Sequence, residues 1–417
     1  MRKPSTPSAR EPDERTALVP KLRFPEFRDA KGWEETVLNK IADPVIERAI
    51  QGKRENILSL SAENGLILQS EFFGKKVAGE NSERYLKIAR NDFVYNDRTT
   101  KASLFGTIKR LSKHEGGIVS PIYKCFRFRH SENAAFWEWH FESGAHSTAL
   151  AGLVNEGARA GRFNISITQF LSTNACRPTA AEQERIAECL SSLDELMAAQ
   201  ARKVDALKTH KRGLMQQLFP REGETVPRLR FPEFQGDEEW EVKPLGKVAE
   251  NLDSQRVPIT SSARKVGAVP YYGASGIVDY VDGFLFDEDL LCASEDGANL
   301  VTRTYPIAFP ISGKTWVNNH AHVLRFEHAC MQKFVEVYVN SIEIDDFITG
   351  MAQPKLNKGM LDRIPIPHPC VPEQQRIADC LSSLDALIAA EAKKLKALRA
   401  HKNGLMQQLF PTPEESL

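Results

Sequence analysis

No run of apolar residues in this 417-residue chain approaches the length of a membrane span. Its first twenty residues, MRKPSTPSAREPDERTALVP, are polar and proline-rich, without the apolar core of an export signal. These absences make the cytoplasm the expected compartment and exclude a membrane partner. Cysteine is scarce: seven residues, an odd number without CxxC spacing, fit reduced thiols and speak against a disulfide framework or a zinc site. Neither sign of charge is in excess, since 55 Lys and Arg balance 55 Asp and Glu. A protein coated in basic residues is thereby excluded, although local patches are not. Signatures of catalysis are missing too. The SGKTW segment around Lys314 has alanine at position 308, where a phosphate-binding loop requires its first glycine. There is no Asn-Pro-Pro-aromatic tetrapeptide of an amino-methyltransferase and no nuclease-like carboxylate cluster. A non-enzymatic protein with no cofactor is expected.

What is present is a repeat. The segment EQERIAECLSSLDELMAAQARKVDALKTHKRGLMQQLFP (Glu182 to Pro220) returns as EQQRIADCLSSLDALIAAEAKKLKALRAHKNGLMQQLFP (Glu373 to Pro411), with 28 of 39 positions identical. In the first copy Ile186, Leu190, Leu193, Met197, Val204 and Leu207 recur at heptad spacing, as do Ile377, Leu381, Leu384, Ile388, Leu395 and Leu398 in the second. The seams are interrupted by Gln200 and Lys211, and by Glu391 and Lys402. Two such helices in one chain meet at high effective concentration, so an intramolecular, antiparallel pair is expected. Thr179, three residues before Glu182, has capping-box spacing; Pro372 suits a first turn, and Pro220 and Pro411 end the helices. Gly213 and Gly404 are expected to weaken or kink the last turns.

A shorter repeat precedes each cargo: PKLRFPEF (Pro20 to Phe27) followed by Trp33, and PRLRFPEF (Pro227 to Phe234) followed by Trp240. The chain therefore reads as a cut circle of two half-rings, each made of LRFPEF, a globular module and a long helix. That order predicts neighbouring termini and an approximate internal dyad. The modules themselves, about Thr36 to Pro178 and Val242 to Val371, show no comparable similarity. Each mixes strand-like runs (NILSL, DFVYN and YKCFRFRH in the first) with Gly-rich turns and short helical stretches, so the expected class is α+β.

The paired EQxRIA helices ending GLMQQLFP, with YLKIARNDFVYN and GGIVSPIY in the first module and YYGASGIVDYV and NNHAHVL in the second, resemble the DNA specificity (S) subunit of type I restriction-modification systems. The likeness spans nearly the whole chain beyond residue 20. It implies a disordered tail over 1–19, target-recognition domains over 20–178 and 221–371, spacer helices over 179–220 and 372–411, and a tail over 412–417. It also implies a non-catalytic reader of an asymmetric, split double-stranded DNA site, whose helices set the half-site gap and dock two methyltransferase (M) subunits. Restriction/translocase (R) subunits then join the complex. The competing reading is a coiled-coil scaffold that binds no DNA.

Sequence-specific readers need cations for phosphates and hydrogen-bonding side chains on loops for base edges. In the first module the stretch from Arg84 to Lys113 is rich in basic residues, and the candidates are Tyr95, Asn96, Arg98, Lys101, Lys109 and Arg110. A strand end and turn would account equally well for Tyr95 and Asn96. In the second module they are Ser275, Arg303, Lys314, Asn318, Asn319 and His320, all beside turns, while Gly273 and Gly276 are expected to serve backbone geometry. His320 and His322 have HxH spacing, but no thiol or carboxylate cluster accompanies them, so no metal is expected.

Overall fold

The computed structural model describes residues 18–49, 56–73, 84–99, 103–153, 163–221, 223–350 and 353–411. The tails at 1–17 and 412–417, and Lys101, lie outside them. Two compact units form, 1–200 with 394–417 and 201–393. The long helices run unbroken over Ala180–Leu218 and Val371–Leu409, so the division falls within each helix and each helix gives one end to either unit. Gly213 and Gly404 do not interrupt them, and a Cβ at either position would meet nothing within 4 Å.

In the first unit the strands are β1 (Glu34–Val37), β2 (Ala42–Pro44), β3 (Ile57–Ser61), β4 (Gly65–Leu68), β5 (Leu86–Ala89), β6 (Phe93–Asn96), β7 (Thr107–Arg110), β8 (Gly116–Val119), β9 (Lys124–Phe128) and β10 (Asn174–Arg177). They form a β1-β10 ribbon and two four-stranded sheets, β2-β9-β6-β7 and β4-β3-β8-β5. The second unit contains β11 (Glu241–Pro244), β12 (Glu250–Asn251), β13 (Val266–Gly273), β14 (Gly276–Val281), β15 (Phe286–Asp287), β16 (Leu290–Ser294), β17 (Ala308–Ile311), β18 (Lys314–Val317), β19 (Ala321–Arg325) and β20 (Pro365–His368). Its sheets run β12-β19-β16-β17 and β14-β13-β18-β15, with a β11-β20 ribbon. Strand for strand, the order is that of the first unit shifted by ten. Modules without recognisable sequence similarity therefore share one topology, including a parallel pair, β3 with β8 and β13 with β18, inside otherwise antiparallel sheets.

The repeated sequences interlock in the same way in each unit. Arg23 grips Glu182 with Nε–Oε1 2.8 Å and Nη2–Oε2 2.6 Å, and Arg230 grips Glu373 at 2.8 Å on both arms. Both carboxylates are almost wholly buried. The next residue, Gln183 or Gln374, donates to the carbonyl of Pro178 or Pro369. Arg185 lies over the Phe24 ring and bonds Glu26; Arg376 does the same with Phe231 and Glu233. Thr179 Oγ1 accepts from the Glu182 N–H at 3.4 Å, but the Glu182 side chain is held by Arg23 rather than closing a capping box.

The circular order of the repeats is visible as a hydrogen bond. The Leu229 N–H donates to Gln217 O at 2.9 Å, at the end of the first long helix, and the Leu22 N–H makes the equivalent bond to Gln408 O at 3.0 Å at the end of the second. The first LRFPEF segment thus caps the C-terminal helix, and the described ends of the chain are neighbours.

Within each unit the helix ends pair antiparallel. Lys203 reaches Glu391 and Lys211 reaches Asp385 in the second unit, while Lys402 reaches Asp194 in the first. The polar interruptions Lys211, Glu391 and Lys402 are thereby cross-helix ion pairs. Ile186 and Leu190 are buried in the first core with Met406 and Leu409, and Ile377 and Leu381 in the second with Leu218. Val204 is buried too, whereas Leu193, Met197, Leu207, Leu384, Ile388, Leu395 and Leu398 are half-buried, as expected of two helices without a third to cover them.

Because breaking a buried ion pair leaves an uncompensated charge, Glu373→Gln should destabilise its unit by roughly 3 kcal/mol or more, and Glu182→Gln likewise. Denaturant unfolding checks this; exposed Glu224→Gln, read alongside, should stay within about 0.5 kcal/mol.

The first core also encloses two imidazoles among Phe136, Trp137, Phe141, Phe170 and Phe410. Burial drives His140 well below its ordinary value, with His146 adding to the shift, and burial takes His146 down to about 4. Both are held neutral in the fold while the unfolded chain protonates near pH 6.5, so their stabilisation is complete above that pH and is lost as pH falls towards the folded values. With His146 at about 4, it alone should cost about 2 kcal/mol by pH 5. Thermal melts between pH 7.5 and 5 should show this loss, and His140→Phe should reduce it.

Candidate nucleic-acid interface

The shared topology makes corresponding loops comparable. Those after β6 and β8 in the first unit match those after β16 and β18 in the second, and the β3–β4 turn matches the β13–β14 turn. Candidates from the sequence divide between these strand ends and the sheet interiors.

Tyr95 belongs to the interior. It is fully buried on β6, its ring tilted 30° to that of Phe170 with centroids 4.9 Å apart, and it donates its hydroxyl to Phe105 O, while burial pushes its phenol far above the ordinary range. It is a core residue and leaves the list of contacts. Lys109 and Arg110 sit on edge strand β7 and fasten it to the helix Ala134–Glu142: Lys109 bonds Glu142 at 2.6 Å, and Arg110 bonds Glu138 at 2.7 and 2.8 Å and Asn91 at 2.9 Å. Burial keeps the Glu138 carboxyl above its usual range even against the pull of Arg110. These two cations hold the fold together. Elsewhere in the basic stretch, Lys87 pairs with Glu47 and Arg90 with Glu115.

Asn96 and Arg98 do reach a strand end. Asn96 closes β6 and accepts the Arg98 N–H, and Arg98 is exposed with no carboxylate partner among the described residues. Between them Asp97 is buried and bonded by Lys124, which ties this loop to the start of β9, beside the exposed Ile122. Sequence reasoning missed Arg127 and Arg129, half-exposed on and after β9 and paired with Asp92 and Asp43. The alternation of FRFR was the available signal.

In the second unit, the strand-end loops gather at the β13–β14 turn. Ser275 Oγ lies 2.9 Å from the hydroxyl of exposed Tyr305, a residue no sequence pattern singled out. Ser294 Oγ donates to Ala274 O, and the Asn318 N–H to Tyr272 O. Asn318 is itself buried, its Oδ1 accepting the His320 N–H, so it shapes the turn that presents exposed Asn319 and His320. Gly276 has φ of 104°, and a Cβ at Gly273 would press on Val278 and Asn318, which accounts for both glycines. Two candidates fall elsewhere. Arg303 ends a helical turn in the left-handed region (φ 50°), donates to Ile342 O, and has its guanidinium pushed below the ordinary value by burial. Lys314 starts β18 at the other end of that strand, over the Phe284 ring.

The HxH pair does not converge. His320 faces outward against Asp296, whereas buried His322 bonds Asp253 through Nδ1 at 2.6 Å and Leu356 O through Nε2 at 2.7 Å. Asp253, Glu295 and His322 form a possible ligand set, yet Arg256 bonds both carboxylates and Lys355 bonds Glu295. Burial pushes Asp253 up, but His322 and the Val323 N–H bring it below the usual carboxylate range. With its acids matched by cations and its imidazole nitrogens engaged, the cluster is built as a hydrogen-bonded core and does not fit a metal. Among the described residues no helix is long and apolar enough to cross a membrane.

Residues 237–400 match the family model described as Type I restriction modification DNA specificity domain. A type I restriction enzyme specificity subunit of Haemophilus influenzae is 37% identical over 149 residues, 36% of this chain and 38% of that protein's length. A second, from Methanocaldococcus jannaschii, is 22% identical over 93% of this chain and 89% of its own. Among solved structures, the type I restriction-modification S subunit from M. genitalium superposes with a TM-score of 0.58 at 14% identity, covering 94% of this chain and 99% of that one. A chain from a structure of a type I R-M system gives 0.55 at 17% identity, covering 91% and 98%. The fold is that of these subunits. The chain carries a type I restriction modification DNA specificity domain over residues 237–400, and along nearly its whole length it is similar to the specificity subunits of type I restriction-modification systems.

Proposed function

We propose that this chain is the non-catalytic, cytoplasmic specificity subunit of a type I restriction-modification complex, in which each unit reads one half of a split double-stranded DNA site. The observation that carries this reading is the pair of modules with one topology and unlike strand-end loops, mounted on a frame repeated down to individual hydrogen bonds. A common topology with different loop residues is what two readers of different half-sites need, so the site is asymmetric. Asn96 and Arg98 serve the first half-site; Ser275, Asn319 and His320 serve the second, with Asn318 positioning them.

The frame also repeats where the fold does not require it. The Glu26–Arg185 and Glu233–Arg376 pairs are about half exposed, and pairs of that kind contribute little stability. Their preservation with the same Phe stacking supports two equivalent docking surfaces, one for each of two methyltransferase subunits. Restriction/translocase subunits join through that assembly.

The primary test is a gel shift of the chain with its methyltransferase partner on genomic fragments at rising salt. Sequence-selective binding that weakens with salt is expected; no binding at low salt would return the chain to a coiled-coil scaffold. Arg98→Glu should weaken binding of the first half-site without altering the melting temperature. Arg110→Glu should instead lower the melting temperature by leaving Glu138 unpaired. Removing one heptad from both long helices (197–203 with 388–394) keeps the seams in register and shortens the frame by about 10 Å, or roughly three base pairs. Methylome sequencing should show a changed gap between unchanged half-sites; an unaltered gap would remove the spacer role.

A further inference from the structure

Resting on that reading of DNA, we infer that the β13–β14 hairpin contacts pyrimidine C5-methyl groups in the major groove through Ile277 and Val278. Ile277 is 49% exposed, Val278 51%, Tyr280 52% and Val266 95%. Single exposed apolar residues need no explanation, but Ile277, Val278 and Tyr280 lie together on β14, with Val266 at the open end of the partner strand. β14 thus shows apolar side chains to solvent beside the turn, while Tyr271 and Gly273 on the partner strand are buried. The matching hairpin of the first unit does not, since Leu58 and Leu66 are buried there.

The local backbone is shaped for this presentation. Tyr271 pairs with Asp279 and Tyr272 with Ile277, so Val278 is the extra residue of a β-bulge, a device that re-aims side chains. Gly273 leaves the space beside Val278 and Asn318 that a Cβ would crowd. At the tip, two residues before Ile277 in the chain, the Ser275 hydroxyl lies 2.9 Å from that of Tyr305.

A two-stranded ribbon fits the major groove, about 12 Å wide, and the T·A edge there displays a carbonyl acceptor next to a methyl group. Hydroxyl donors beside branched aliphatic side chains match that combination. The negative charge on the ribbon is also accounted for: Asp279 is paired with Arg264 at 3.0 Å.

The experiment uses the full chain with its methyltransferase partner and duplexes carrying the site found by methylome sequencing. Thymines are replaced by deoxyuridine in one half-site at a time, which removes only the methyl. Affinity should fall about fourfold for each methyl contacted, in one half-site and not the other, and the Ile277→Ala/Val278→Ala variant should lose that sensitivity. Equal affinity for both duplexes, a thymine-free second half-site, or the same loss persisting in the variant overturns the inference. Should the double variant melt early, Val278→Thr takes its place. Failure of the unmodified duplex to bind selectively would instead strike the DNA reading itself.

Discussion

The bidentate Arg–Glu contact between each LRFPEF segment and each EQxRIA helix start is the interaction on which the architecture rests. A buried guanidinium and carboxylate are tolerable only when their hydrogen bonds are satisfied together. Here Arg23 also donates to the Ala30 and Lys31 carbonyls, and Glu373 also accepts the Trp240 indole N–H. Such a contact has little latitude in distance or angle, so it fixes where a chain segment meets a helix more sharply than apolar packing does. It also explains why these letters repeat. In EQxRIA, the glutamate takes the arginine, the glutamine takes a proline carbonyl, the arginine lies over a phenylalanine and the isoleucine enters the core.

Given that anchoring, the module between LRFPEF and helix is free to vary in sequence while keeping its strand order. The β1-β10 and β11-β20 ribbons join the two ends of each module next to the clasp. Outside that closure, selection on the strands asks only for apolar residues at inward positions, which many sequences satisfy. This is why the modules looked unrelated when compared letter by letter, although they are built alike.

The frame was therefore highly legible in the sequence and the site much less so. Heptad spacing and identity between copies located both long helices to within two residues, because those features are local and periodic. The polar breaks in the seams looked like weaknesses; Lys211, Glu391 and Lys402 are cross-helix partners, and only the antiparallel pairing shows it. The basic stretch from Arg84 to Lys113 misled for a related reason. Whether a cation is available to a ligand depends on carboxylates distant in sequence, such as Glu138 and Glu142 for Arg110 and Lys109. Tyr305 could not have been found at all, since its meeting with Ser275 is made by the fold.

That pairing of cations bears on how a protein of zero net charge can read DNA. Non-specific affinity for a duplex comes largely from neutralising phosphates and releasing counterions. In this chain most of the well-placed arginines already hold carboxylates: Arg90 with Glu115, Arg110 with Glu138, Arg127 with Asp92, Arg129 with Asp43 and Arg325 with Glu288. A phosphate must compete with those partners, so the electrostatic part of binding that this chain can supply is small. Under the proposed reading, selectivity therefore comes from the hydrogen-bonding and apolar side chains of the strand-end loops rather than from a broad basic surface.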